Sequence, residues 1–153
     1  MTDDLRKLEN WAAPLLAKLS AAERRKLTTS IARELRRSQQ QRIRKQENPD
    51  GTAFAPRKKQ PQRSKKGRIK RSAMFGKIRT ARYLRLSSDA NRIGLSFTGR
   101  IGRIARVHQY GLRDRPAAGQ KQVQYDQRQL LGFSAADRQM IEDLLIQHLT
   151  SGS

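Results

Sequence analysis

The chain has 153 residues, no Cys, and 34 Lys and Arg against 13 Asp and Glu, which gives a formal net charge of +21. This length suits a single domain, and the lack of Cys excludes a disulfide framework, a thiolate metal site and a Cys nucleophile. So large a positive charge opposes compaction and attracts polyanions, so the candidate partners are nucleic acid first, an acidic protein surface second and an anionic membrane third.

The apolar segments of the chain are too short to span a membrane. The longest is Trp11–Ala17, far below the roughly 20 residues that a bilayer requires. The N-terminus carries Asp3 and Asp4 and has no apolar core of the kind found in signal peptides. We therefore expect no signal peptide and no membrane partner, and a soluble intracellular product.

Residues 1–47 predict two N-terminal helices. A stripe of Leu and Ala at three- and four-residue steps predicts the first helix, and Pro14 predicts a kink in it or a division into two short helices. The sequence Ser20-Ala21-Ala22-Glu23 has the form of a capping box and predicts the start of the second helix. Beyond Leu35 this helix becomes almost wholly polar, so we expect that end to project away from the core.

Residues 48–72 predict an extended basic arm. The stretch 51–113 holds more than half of the basic residues and one acid, Asp89. Within the arm, Asn48–Gly51 predicts a turn, and the dense Lys and Arg that follow favour contact with phosphate or acidic protein over a solvated tail. The arm has no aromatic residue after Phe54, so any contact with nucleic acid would be to the backbone, without base stacking. Its candidate contact residues are Phe54, Arg57, Lys58, Lys59, Arg63, Lys65, Lys66, Arg68, Lys70 and Arg71.

Residues 73–153 predict an α+β core. In chain order the predicted elements are a short turn at 74–78, a β-hairpin formed by 82–86 and 93–97, a helix over 101–108 ended by Gly111, a loop over 113–119, short strands at 123–125 and 129–131, and a last helix capped by Ser134. We therefore predict the α+β fold class, with N-terminal helices, a small antiparallel sheet containing the hairpin, a short central helix and a C-terminal helix packed on the sheet. The expected buried face of the last helix is Met140, Ile141, Leu144, Leu145, His148 and Leu149.

The residue pattern predicts no catalytic site. The available bases are His108 and His148, and each lies on the apolar side of a predicted helix, where a hydrogen-bonded core role is more common than catalysis. Glu142 and Asp143 are adjacent on a helix, so their carboxylates point in different directions. We therefore expect no enzyme, no metal site and no cofactor.

A row of three arginines, Arg100, Arg103 and Arg106, steps along the predicted central helix. A helix-turn-helix would need a preceding helix at turn distance, and none is predicted there. A solvated basic face is therefore the favoured interpretation, and contact with DNA or an acidic partner is the alternative.

Four strings of the sequence resemble a known family in the same order. Residues 103–114, with Arg103, His108, Tyr110 and Gly111, resemble the signature of the phage virion morphogenesis family, the tail completion proteins of contractile-tailed temperate phages. Residues 48–56, 77–84 and 125–133 resemble the family's Pro-Asp-Gly turn, its pre-hairpin segment and its closing Arg-x-Leu-Leu-Gly element. One departure is Gln129, where the family pattern leads us to expect Pro.

The resemblance implies a structural virion protein with a single tail-completion domain over residues 1–153. Related terminator and joining proteins form rings, commonly hexamers. The expected form is therefore a homo-oligomeric ring that ends the tail tube and sheath at the head-proximal side and allows head–tail joining. The implied partners are tail tube and sheath proteins and head-side connector proteins. The implied location is the tail or neck of the virion, after assembly in the bacterial host cytoplasm.

The role of the basic block stays open between three interpretations. The arm can wrap an adjacent subunit or the tube and sheath. Alternatively, the block can line the channel and touch the phosphate backbone of genomic DNA, or the protein can be a free, non-specific DNA-binding accessory or regulator. A head-side joining position in the neck is a further alternative to a terminator position.

Overall fold

The structure is a computed structural model that describes residues 2–57 and 74–151. Within these residues four helices and two two-stranded sheets form, which confirms the α+β class. The elements are α1 Thr2–Leu16, α2 Ala21–Arg44, β1 Leu84–Ser88, β2 Ile93–Phe97, α3 Gly99–Tyr110, β3 Arg113–Asp114, β4 Val123–Gln124 and α4 Ala135–Ser151. In the part of the chain so described, every helix is too short or too polar to cross a membrane.

Two reciprocal capping boxes start α2 and α4, as predicted. At α2, Ser20 Oγ accepts a hydrogen bond from Glu23 N at 3.2 Å, and Glu23 Oε2 accepts one from Ser20 N at 3.4 Å. At α4, Ser134 Oγ accepts from Asp137 N and Asp137 Oδ2 accepts from Ser134 N, both at 3.0 Å. Each box therefore satisfies two backbone donors that a helix start leaves free.

The chain divides into two compact units, and each has its own core. The first unit contains α1, residues up to Ser38, the hairpin residues Arg85–Ser96 and the segment from Phe133 onward, including α4. The predicted apolar face of α4 is confirmed here for four of its six members, because Leu145 is buried and Met140, Ile141 and Leu144 pack against the same core. The core members are Ala12, Leu27, Ile31, Leu35 and Leu145, with Leu16, Leu19, Ile93, Leu95, Phe133, Met140, Ile141 and Leu144 packed around them.

The second unit contains Gln39–Leu84 and Phe97–Gly132. Its sheet is the short pair β3 and β4, with Arg113 opposite Gln124 and Asp114 opposite Val123. The predicted loop 113–119 therefore begins with a strand. The buried core members are Ile43, Phe54, Met74, Ile78, Ala105 and Leu130, with Phe75, Phe97 and Ile101 packed against them.

The structure narrows one sequence expectation, and two others are wrong in detail. Of the two outcomes expected at Pro14, a kink or a division, the division does not occur, because α1 continues through Pro14 to Leu16. Residues 129–131 form no strand, since side chains take up their backbone groups. The polar end of α2 does not project from the core. Gln39 is 1% exposed, and Arg42 and Ile43 are buried beside it.

Candidate functional site: a groove in the second unit

A groove of ≈ 580 Å³ opens on the surface of the second unit. Its wall combines the turn at 74–78, α3, β4 and the residues that follow β4. Ile104 on α3 and Val123 on β4 both line it, and their side chains are 46% and 36% exposed. Since large apolar side chains usually avoid water, this exposed apolar wall indicates a contact surface.

Four rings form a continuous row through the core to the groove. Phe54 packs against Phe75 with centroids 5.8 Å apart, and Phe75 packs against His108 at 4.8 Å. His108 in turn contacts Tyr125 at 5.1 Å. All three contacts are edge-to-face, the arrangement that the ring quadrupoles favour. The row therefore fixes the groove wall to the core of the unit.

Phe75 adopts a left-handed backbone conformation with φ 68°. This region is rare for residues with bulky side chains and costs on the order of 1–3 kcal/mol. Neighbouring bonds hold the strain in place, because Gln46 Oε1 accepts from Met74 N at 2.7 Å and Gln46 Nε2 donates to Met74 O at 2.8 Å. Backbone strain of this kind clusters at functional sites, which agrees with the position of Phe75 in the groove.

Arg128 joins the start of the predicted arm to α3. Arg128 as a whole residue is 4% exposed. It donates from Nε to Ala55 O at 2.8 Å, from Nη2 to Pro56 O at 3.1 Å and from Nη1 to His108 Nδ1 at 3.1 Å. Burial lowers the pKa of Arg128, and nearby Arg57 adds to that effect while Asp126 opposes it. The chain on the N-terminal side of the basic segment is thus anchored by a buried cation.

The burial of His108 and the charge of Arg128 beside it affect the pKa of the histidine ring. Burial lowers its pKa from 6.5 to about 4, and the charges of Arg128 and Arg57 act in the same direction. The ring is therefore neutral near pH 7 and accepts at Nδ1. Protonation is disfavoured first because burial removes water from the charged ring, and second because Arg128 and Arg57 are already positive.

The C-terminal end of α3 positions His108 and its partner Arg128. Gly111 ends the helix in the left-handed conformation with φ 62°, and Leu112 N donates to Val107 O at 2.9 Å. This is the pattern of a Schellman cap. The predicted Gly111 cap is therefore confirmed. The returning chain then bonds back to the helix, because Arg128 N donates to His108 O at 2.7 Å.

A second buried arginine, Arg42, holds the segment 129–130. It donates from Nη1 to Glu47 O and Gln129 O, both at 2.9 Å, and from Nη2 to Leu130 O at 2.6 Å. Its guanidinium also bonds to Gln39 Oε1, which accepts from Gly132 N at 3.2 Å. A guanidinium carries several donors in a fixed plane, so it can serve several carbonyls at once.

Gln109 completes the support of the same segment from α3. Its Oε1 accepts from Leu130 N at 2.8 Å and from Leu131 N at 2.9 Å, and its Nε2 donates to Leu131 O at 2.8 Å. Side chains of α2 and α3 thus replace the ladder that a neighbouring strand would supply. This is the physical reason why the backbone groups of residues 129–131 are bonded although the segment is not a strand.

The arginine row on α3 is exposed at Arg100, Arg103 and Arg106. Arg103 forms an ion pair with Asp114 at 2.6 Å, although its own side chain is 75% exposed. Tyr110 is 63% exposed and lies outside the ring row. Among the motif residues, His108 and Gly111 therefore build the groove and its support, whereas Arg103 and Tyr110 lie at the surface.

Of the predicted contact residues of the arm, Phe54 and Arg57 lie within the described residues and the others do not. Phe54 is 5% exposed and belongs to this chain's own core, so its side chain packs internally. Arg57 is exposed and lines the groove. The other predicted contacts lie outside the described residues. These are Lys58, Lys59, Arg63, Lys65, Lys66, Arg68, Lys70 and Arg71.

Neither histidine belongs to a cluster of potential metal ligands. Within residues 2–57 and 74–151 no group of three or more His, Cys, Asp or Glu can hold a metal ion. His148 Nδ1 lies 3.0 Å from Leu144 O, and His108 is bonded to Arg128. Both are hydrogen-bonded residues of their units, as the sequence pattern indicated.

Sequence reasoning missed the buried polar side chains that hold the site together. They are the buried Gln39, Arg42 and Arg128, together with the half-buried Gln109. A helical pattern identifies buried positions by their apolar residues, and in this network the buried positions are polar. The one available signal was the position of Arg128 at the start of the Arg-x-Leu-Leu-Gly string.

Comparisons with known proteins agree with the resemblance seen in the sequence. The model of the phage virion morphogenesis family matches residues 3–150. Tail completion protein S of Escherichia phage P2 is 39% identical to the chain over 148 residues, which make up 96% of the chain and 98% of that protein. No solved structure matches the chain.

Proposed function

The chain belongs to the phage virion morphogenesis family, and from this membership we propose that it is a structural virion protein that completes the phage tail. The observation that carries the proposal is the 39% identity with tail completion protein S, which extends over 98% of that relative. Because the similarity covers both chains almost end to end, it concerns the whole protein and not a shared module. A structural role also agrees with our expectation that the protein is not an enzyme.

We further propose that the protein forms a ring, of six copies, at the head-proximal end of the tail. In this position the ring terminates the tube and sheath and allows joining to the head-side connector. A closed ring requires two different complementary surfaces on each copy. In the first unit, Trp11 and Ile146 supply exposed apolar contacts at 41% and 48% exposure.

Imaging of the purified protein by electron microscopy tests the ring directly. We expect six-fold rings. Dispersed monomers that bind duplex DNA tightly would overturn the ring and favour the alternative of a DNA-binding accessory protein.

A replacement that changes no residue of the groove tests the role of the basic segment. Residues 58–71 are replaced with a Gly-Ser linker of the same length, and a control carries the original residues of 58–71 in shuffled order. If the segment wraps a neighbouring subunit or the tube by specific contacts, both variants lose ring and tail assembly. If charge alone is needed, the shuffled control assembles. Normal assembly of both variants would refute an assembly role for this segment.

Contact with genomic DNA is the second candidate role for the charge. It is supported by the net charge of +21 and by the exposed Arg100 and Arg106 on α3. Neutralising phosphate contacts releases counterions, so binding of random duplex should weaken steeply as salt rises. Substitution of Arg100 and Arg106 with Gln should then reduce the salt slope. Tail completion with an unchanged yield of infectious particles in that variant would exclude a need for these contacts.

A further inference from the structure

The groove of the second unit has the size and lining of a site for a short protein segment. Its volume of ≈ 580 Å³ falls in the range of about 300–1,000 Å³ typical of ligand sites. The wall is mainly apolar and aromatic, from Phe75, Ile104, Val123 and Tyr125. Such a lining favours a bulky apolar side chain inserted from outside.

The charged groups at the groove are mostly positive. Arg57 and Lys77 line it and are exposed, and the buried Arg128 lines it as well. Asp126 is the one acid in the lining. Within residues 2–57 and 74–151, neither Arg57 nor Lys77 forms an ion pair with a carboxylate within 4.0 Å.

From these two features we propose that the groove is a docking site for an acidic, extended segment of a partner protein, which inserts one bulky apolar side chain and places carboxylates against Arg57 and Lys77. The proposal rests on the proposed structural role in the virion, where partners are proteins. It adds the chemistry of the partner segment and the residues that recognise it.

The charge argument excludes the chain's own basic segment as the favoured occupant. Residues 58–73 carry eight Lys and Arg and no acid. Placed in the groove, of the same chain or of a neighbouring copy, this segment would bring like charges against Arg57 and Lys77. Like charges in contact are unfavourable and select against such a pairing.

The ring packing argues against single-stranded nucleic acid. Bases bind proteins mainly by stacking on open aromatic faces. Here His108 meets Phe75 and Tyr125 edge-to-face at 4.8 Å and 5.1 Å, so these rings are already engaged with one another. An inserted aliphatic or aromatic side chain requires no stacking face, because it can pack against the exposed apolar side chains of Ile104 and Val123.

Fluorescence anisotropy with labelled synthetic peptides tests the proposal on the full-length protein. The probe contains a Phe-Leu pair flanked by Asp and Glu on both sides. One control peptide has Lys in place of the acids, and another has Ser in place of Phe and Leu. We expect the acidic apolar peptide to bind about tenfold or more tightly than either control. Binding that is equal for the acidic and the Lys peptide, or no binding of the acidic peptide, would overturn the proposal.

Matched variants locate the binding surface. Ile104→Glu and Lys77→Glu should each weaken binding about tenfold, since each places a negative charge in the groove. Ile146→Glu alters an Ile of similar exposure, 48%, on α4, and Arg44→Glu makes the same charge change as Lys77→Glu at an exposed position of α2. Both controls should leave binding unchanged. An equal loss in the controls, or full competition by a single-stranded oligonucleotide, would contradict the assignment.

A failure of the docking site can be distinguished from a failure of the proposed tail-completion role. Virion assembly is scored by complementation of a phage that lacks this protein, without any added peptide. If assembly succeeds with the wild type and with Ile104→Glu while the peptide never binds, the docking site fails and the proposed function stands. If the wild type binds the peptide but does not complement, the proposed function fails and the binding chemistry stands.

Discussion

Arg128 donates to Nδ1 of His108 at 3.1 Å, and this bond fixes the proton arrangement of the histidine ring. A guanidinium has no acceptor, so Nδ1 must accept and the proton of the neutral ring lies on Nε2. A second proton at Nδ1 would break the bond and place a cation beside Arg128. The motif histidine therefore acts here as a neutral acceptor for a buried arginine.

The first prediction is a loss of stability in mild acid. The pKa of His108 is lowered from 6.5 to about 4, so the unfolded chain binds the proton more readily than the folded chain. Stability is then fully present above pH 6.5 and decreases as the pH falls toward 4. Because the ring is half-buried, we expect a loss of about 1–2 kcal/mol in the free energy of unfolding after screening by solvent. Urea denaturation across this interval measures it.

The control for this prediction is His108→Gln, which cannot titrate. Its unfolding free energy should change less between pH 6.5 and 4 than that of the wild type. The carboxyls of Asp50 and Asp114, whose pKa values are lowered by bonds to Thr52 and Arg103 respectively, begin to lose their contribution only near the acid end of the interval, and equally in the wild type and the variant. An identical pH slope in the variant would show that other groups are responsible.

The second prediction concerns the buried anchor Arg42. Arg42→Met leaves the carbonyls of Glu47, Gln129 and Leu130 without their donor. An unpaired buried polar group costs about 1–3 kcal/mol, so we expect a loss of about 3 kcal/mol or more in the free energy of unfolding. Arg42→Lys should not restore stability, because one ammonium cannot match the planar set of donors.

Arg44→Met is the matched control on the same helix. Arg44 is exposed, and substitutions at exposed positions usually change stability by less than about 0.5 kcal/mol. Thermal or urea unfolding of the two variants decides the point. Equal stability of the Arg42 and Arg44 variants would mean that the three carbonyls are satisfied in another way.

The elements with local signals could be predicted from the sequence. The capping boxes at Ser20 and Ser134 were recognisable because the side chain of a cap residue bonds to the backbone N–H three residues further along the chain. The Gly111 cap and the hairpin of β1 and β2 likewise depend on a few adjacent residues. Such features need no knowledge of distant contacts.

The polar network could not be predicted, because its partners are far apart in the sequence. Arg42 bonds to Leu130 across 88 positions and Arg128 bonds to Ala55 across 73. A run of Arg and Gln at the end of α2 is typical of a solvated helix, and its inward side becomes clear only when residues 129–132 pack on it. The groove has the same origin, since Phe75, His108 and Tyr125 come from three separate segments.

The third prediction compares the two capping boxes. Asp137 is 1% exposed and bonds to Ser38 Oγ as well as to Ser134 N, whereas the box of Ser20 is exposed. Loss of an N-cap costs about 0.5–2 kcal/mol. We expect Ser134→Ala to fall at the upper end of that range and Ser20→Ala at the lower end, as measured by urea unfolding. A larger effect for Ser20→Ala would contradict the difference in burial.

The fourth prediction tests the helix end that supports the groove. Gly111 has φ 62°, and an added Cβ would lie 3.0 Å from Gln127 N. The left-handed conformation alone costs a residue with a side chain about 1–2 kcal/mol, and the contact with Gln127 adds to this cost. Gly111→Ala should therefore lower the free energy of unfolding by about 2 kcal/mol or more.

Gly76→Ala provides the control, because an added Cβ there meets no atom within 4 Å and the residue has no positive φ. Its unfolding free energy should stay within about 0.5 kcal/mol of the wild type. The anchor can be followed in the same samples, since Arg128 N bonds to His108 O at the α3 end. Displacement of this end by Gly111→Ala should expose His108 to solvent. Its pKa, followed by NMR, should then rise from about 4 toward 6.5. An unchanged pKa with lowered stability would limit the role of Gly111 to the helix cap, without effect on the groove.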